Sequence, residues 1–146
     1  MVKWKVPQVG IARLLWLVLT LMFLTAAIMA ARESAQLIAG LRSEMLVSLE
    51  DVANACNGGD MIAAERAALR FWRLATLEAD TLLAAAEGRE LCNLASALAN
   101  AAAGWKAVPL QPSERLQVIT QLLNIKQMIQ TGDYSHADSV MVWLER

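Results

Sequence analysis

Two cysteines, one histidine and a line of three arginines are the residues of this 146-residue chain whose types and spacing could do chemistry. Cys56 and Cys92 make an even pair, which in an oxidising compartment is a candidate disulfide and otherwise two reduced thiols. A bridge needs Cα atoms within about 7 Å. A straight helix from Met61 to Glu87 spans about 40 Å and carries Cys92 to the far end from Cys56. An intrachain bridge therefore needs that helix to bend, or the next one to return beside the first turn; pairing between two chains is the third arrangement. Arg66, Arg70 and Arg73 share one helix face over two turns. Three guanidinium forks can converge on carboxylates or phosphates, which marks a partner-binding face, while the same spacing fits a solvated face paired with Glu65, Glu78 or neighbouring helices.

His136 is single, and one imidazole does not make a metal site. Neither a Gly-x-Ser-x-Gly elbow, a phosphate-cradling glycine loop nor a His-Glu-x-x-His pattern occurs in the sequence. Acidic pairs are present as Glu50-Asp51 and Glu78/Asp80. Neighbours one or two apart on a helix do not face each other, so these read as solvated surface. The expectation is a protein that is not an enzyme, with no catalytic, cofactor-binding or metal-binding residue.

The element that must position everything else is the apolar run from Val9 to Ala31, whose one ionisable residue is Arg13. At about 1.5 Å per residue it covers a hydrocarbon core of roughly 30 Å, so it is expected to be a transmembrane anchor. A removed export signal, cleaved after Ala27 by a small-x-small rule through Thr25, is one competing reading, although the run exceeds the usual signal core; a buried core helix of a soluble protein is the other. Lys3, Lys5 and Arg13 precede or enter the run, and no acidic residue occurs before Glu33. The positive-inside rule then gives a cytoplasmic tail (1–8), an anchor (9–31) and an extracytoplasmic helical domain (32–146), with Trp4 and Trp16 at the inner headgroups. In a bacterium this is a single-pass inner-membrane protein with a periplasmic domain. Ala26-x-x-x-Ala30 and Ala27-x-x-x-Ala31 place small residues on one side of the anchor, a spacing that favours helix association and a homo-oligomer.

Without its three N-terminal cations the chain carries 10 Lys and Arg against 14 Asp and Glu, a charge that argues against nucleic acid. Alanine is abundant and no strand pattern follows the anchor, so the fold class is all-α. Spacing by three and four puts Ile38, Leu41, Met45, Leu49, Val52 and Cys56 on one stripe of a first helix. Asn57-Gly58-Gly59-Asp60 turns the chain, Asp60 capping a second helix, Met61 to Glu87, as an αα-hairpin. Ala68, Trp72, Ala75, Ala79, Leu82 and Ala86 are its expected buried side, opposite the arginines, Asp80 and Glu87. Gly88 is a break. A third helix, Glu90 to Trp105, turns Leu91, Leu94, Leu98 and Trp105 inward, and a linker with two prolines (106–112) ends it. Ser113 caps a fourth, with Val118, Leu122, Ile125 and Ile129 on one face. Ser135 caps a short last helix that docks Val140, Trp143 and Leu144. The expected whole is a bundle of four to five helices built from αα-hairpins.

Gly59-Asp60-Met61-Ile62-Ala63-Ala64-Glu65 and Gly132-Asp133-Tyr134-Ser135-His136-Ala137-Asp138 echo one another, each opening the second helix of a hairpin. Over these seven residues they resemble the turn of tetratricopeptide-type repeats, which implies stacked helical hairpins. The copies lie 73 residues apart, against roughly 34 in such repeats, and two ordinary hairpins with the same turn chemistry account for them equally well. The functional expectation is an accessory, assembly or scaffold subunit of a membrane complex. It would touch lipid through its anchor and other membrane or periplasmic proteins through a helix face. The alternative is a membrane-anchored regulator or sensor, of inhibitor, immunity or antiholin-like kind.

Overall fold

The computed structural model describes residues 8–81 and 87–146. Among these the chain is all-α without strands: α1 (Gln8–Gly58), α2 (Met61–Ala79), α3 (Glu87–Ala107), α4 (Pro112–Thr131) and α5 (Ala137–Leu144). The chain divides into two compact units, Met1–Gln36 and Leu37–Arg146.

In the first unit the described chain is the apolar part of α1, near the N-terminus. By length and composition it can cross a membrane, and none of its most apolar window is buried. Leu14, Trp16, Phe23 and Ile28 all stand exposed. The two threonine hydroxyls of its apolar run are satisfied one turn back: Thr20 donates to the Trp16 carbonyl and Thr25 to the Leu21 carbonyl. Thr76, Thr120 and Thr131 of the second unit make the same bond one turn back. Ala26, Ala27, Ala30 and Ala31 are exposed on α1. Trp4 lies outside the described residues.

In the second unit the expected stripe of α1 forms: Met45, Leu49, Val52 and Cys56 are buried, with Leu41 packed beside them. The turn after it follows from two residues. Gly59 takes the left-handed conformation (φ 79°), and Asp60 accepts a hydrogen bond from the Ala63 N–H at 2.9 Å, capping α2. Cross-helix bonds fix the return direction. Ser48 donates to the Ala67 carbonyl (2.7 Å), and Arg42, six residues earlier on α1, reaches Glu78, eleven later on α2. Thus α1 and α2 run antiparallel from Leu37 onward.

The buried side of α2 is Met61, Ala64, Ala68, Phe71, Leu74, Ala75 and Glu78. Trp72, expected to be buried, is 38% exposed, because Phe71 takes the inward position. Leu82 and Ala86 lie outside the described residues. Two boundaries also differ from expectation. α2 stops at Ala79, and Glu87 opens α3. Gly88 is not a break: it sits inside α3, where a Cβ would come within 2.8 Å of the Ala79 Cα, so glycine permits backbone contact between the helices. Ala95 and Ala102 of α3 are fully buried, and such short side chains let α2 and α3 lie close.

Gln111, not Ser113, caps α4: Pro112 occupies its first turn and the Gln111 N–H donates to the Glu114 carboxylate at 2.7 Å. Val118, Leu122, Ile125 and Ile129 are buried as expected. Gly132 (φ 71°) ends α4. The second Gly-Asp turn differs from the first: Asp133 accepts from the Ser135 N–H at 3.0 Å, and α5 starts later, with His136 at its cap. Ser135 therefore lies in the turn. Val140 and Leu144 are buried and Trp143 is half-buried.

Candidate functional site

Three places in the second unit bring functional side chains together. The first is the outward face of α2. Arg66, Arg70 and Arg73 all lie exposed there, interleaved with the exposed side chains of Ile62, Leu69 and Leu77. Arg70 makes a 3.7 Å contact with Glu44 of α1, both side chains more than half exposed, which contributes little. Glu65 is engaged elsewhere, by Lys106 of α3 at 3.2 Å. Glu78, the other carboxylate expected to answer the arginines, points into the core. Among the described residues, Arg66 and Arg73 form no ion pair. The face is cationic and apolar at once.

The second place is a polar cluster that overturns the reading of Glu78 as solvated surface. Glu78 is 0% exposed and Arg42 reaches it from α1 with two nitrogens, Nε at 2.9 Å and Nη2 at 2.8 Å from Oε1. Arg42 also contacts Glu87 of α3 at 3.3 Å, so one guanidinium ties three helices. The hydrogen bond that Arg42 donates to Glu78 raises the Arg42 pKa against the desolvation that would lower it. Two atoms here are buried without a partner among the described residues: Glu78 Oε2 and the Tyr134 hydroxyl. Burial pushes the Tyr134 phenol up to about 12, opposed by Arg42. Position alone could have revealed Glu78, since it lies seven residues after Phe71 and four after Leu74, on the apolar stripe of its own helix.

The cysteines are the third. Both are free. Cys56 is buried beside the first turn, where desolvation lifts its thiol to about 11 and Arg115 opposes the rise. Cys92 lies 3.8 Å from the Thr76 hydroxyl of α2. The first turn opens α2 and Thr76 is near its end, about 24 Å further along at 1.5 Å per residue, too far for a bond between the two sulfurs. Among the described residues no three His, Cys, Asp or Glu side chains converge as metal ligands. His136 is exposed at the start of α5.

Compared with known proteins, the chain matches no family model, no curated protein and no solved structure. The functional reading rests on the chain's own residues.

Proposed function

We propose that this is a single-pass membrane protein whose domain from residue 32 onward binds other proteins, as an accessory, assembly or scaffold subunit of a membrane complex. The supporting observation is the outward face of α2, where Arg66 and Arg73, without an ion pair among the described residues, alternate with exposed Ile62, Leu69 and Leu77. Its complement is an acidic amphipathic helix: carboxylates answer the guanidinium forks, and apolar side chains cover the leucines between them. The proposed architecture is a bundle of αα-hairpins on the extracytoplasmic side of the inner membrane, with the N-terminus cytoplasmic as the Lys3, Lys5 and Arg13 bias requires. Anchoring confines the domain to two dimensions and raises its effective concentration at the partner. The alanine face at Ala26, Ala27, Ala30 and Ala31 supplies lateral contact within the bilayer. Catalysis, a cofactor and nucleic acid have no part in this reading.

The test is affinity recovery of the tagged full chain from mild detergent, with mass spectrometry of what comes with it. A stoichiometric membrane partner, lost from Arg66→Glu/Arg73→Glu chains that still melt like the parent, is the expected result. Recovery of the chain alone, or a partner indifferent to the charge reversal, overturns it. A reporter active only in the periplasm, fused after Arg146, is expected to be active.

A further inference from the structure

A half-open groove of about 460 Å³ separates α4 from α5, a size within the range of small-molecule sites. Its floor is apolar, from the buried side chains of Met128 and Val140, and Trp143 forms part of one wall. The opposite wall presents three carboxamides, Gln121, Asn124 and Gln127, at successive positions along α4. Asn124 Nδ2 donates to Gln121 Oε1 at 3.2 Å, which orients the two amides and leaves the Gln121 NH2 group and the Asn124 carbonyl oxygen free. Ser139 and His136 add a hydroxyl and an imidazole from the α5 side.

The lining excludes several ligand classes. It contains no lysine or arginine, and its one carboxylate, Asp133, already accepts the Ser135 N–H. Thr131 is likewise engaged, donating to the Gln127 carbonyl at 2.9 Å and accepting from the Asp133 N–H at 3.3 Å. An anion finds no fixed cation here, and His136 lies beside the Asp133 carboxylate. Apart from Asp133 and His136 of the turn, the lining residues are helical and their main-chain groups bond within α4 and α5, so an extended peptide finds few backbone partners. What remains is an aromatic wall facing amides that donate and accept side by side. A carboxamide offers an N–H and a carbonyl oxygen at the spacing of two adjacent hydroxyls, and an indole ring offers a flat apolar surface to ring C–H groups.

We propose that the α4–α5 groove binds a neutral saccharide, with one sugar ring against Trp143 and its hydroxyls held by Gln121, Asn124 and Gln127. The site is independent of the α2 face and needs no partner protein.

The experiment is calorimetric titration of the full chain, held in a zwitterionic detergent because glycoside detergents carry the proposed ligand as their headgroup. The probes are maltose and N,N′-diacetylchitobiose. Saturable binding of one of them is expected, weakened about tenfold in Asn124→Ala and in Gln127→Ala, the cost of losing about one to two hydrogen bonds. Both positions are exposed, and an unchanged melting curve shows that the fold is intact. Trp143→Phe keeps an aromatic in place and is expected to weaken binding by a smaller factor. Arg66→Glu should leave the titration unaltered. No heat from either sugar at millimolar concentration overturns the proposal. Binding as tight in both amide variants as in the parent, or saturable binding of a neutral hexapeptide in place of the sugars, does so as well.

Discussion

Removing Arg42 should destabilise the helical domain far more than its position on the edge of α1 implies. Arg42→Ala leaves the Glu78 carboxylate, 0% exposed, with neither of its two guanidinium contacts. Stranding one partner of a fully buried pair costs roughly 3–5 kcal/mol. Arg42 itself is 28% exposed, so water can reach the vacated space, and the expected loss falls to about 2–4 kcal/mol. For a unit of this size, Leu37–Arg146, that corresponds to a fall of about 8–16 °C in Tm. The assay is thermal melting of the full chain in detergent, followed by circular dichroism at a helical band. The decisive companion is the double variant Arg42→Met/Glu78→Leu, which removes both charges and keeps the volume. Apolar replacements of buried pairs are commonly neutral or stabilising, so its Tm should return to within about 4 °C of the parent. A single variant costing under about 0.5 kcal/mol, or a double variant as unstable as the single, refutes the reasoning.

Other expectations follow from the same packing. Gly88→Ala forces a methyl to within 2.8 Å of the Ala79 Cα and should cost about 1–3 kcal/mol, whereas Gly104→Ala meets nothing within 4 Å and should stabilise by up to about 1 kcal/mol; paired urea melts compare them. Tyr134→Phe deletes a buried hydroxyl that has no partner among the described residues, so its melting temperature should match or exceed the parent's. Alkali should unfold the chain in a defined window. Folding raises the Cys56 thiol from 9.0 to about 11 and the Tyr134 phenol from 10.0 to about 12. The native state holds both protons more tightly than the unfolded state. Stability is therefore full below about pH 9 and declines as pH rises toward 12, a fall that Tyr134→Phe and Cys56→Ala should flatten in melts taken across that range. At pH 8 a maleimide should label Cys92 in the native chain, and Cys56 only after denaturant is added, as mass spectrometry of peptides would show.

Local signals carry a large part of this architecture. The three-and-four stepping from Met45 to Cys56 is legible in the amino-acid sequence itself, because burial on a helix repeats with the turn. Asp60 as a cap is legible for the same reason: the bond it makes is three residues long. Long-range partners are not. Glu78 meets Arg42 across 36 residues, and that meeting exists only once two helices lie side by side. Reading Glu78 together with Asp80 as surface relies on their nearness in sequence, where the spacing to Phe71 and Leu74 is the informative one. Trp72 fails in the opposite sense, since size suggests burial while its neighbour Phe71 holds the inward angle. The arginines on α2 are visible as a row. That two of them lack carboxylates depends on where Lys106 draws Glu65.

The short side chains between α2 and α3 set an unusual rule for how this protein can change. Ala68, Ala75, Ala95 and Ala102 are fully covered, and Gly88 rests on the backbone opposite. Most cores tolerate drift among bulky side chains of similar volume, but here nearly every available substitution is an enlargement, and enlargement wedges the helices apart. Selection on this domain should accordingly be recorded in its smallest residues, and distant kin are better sought by the spacing of alanines and glycines than by the pattern of large hydrophobes.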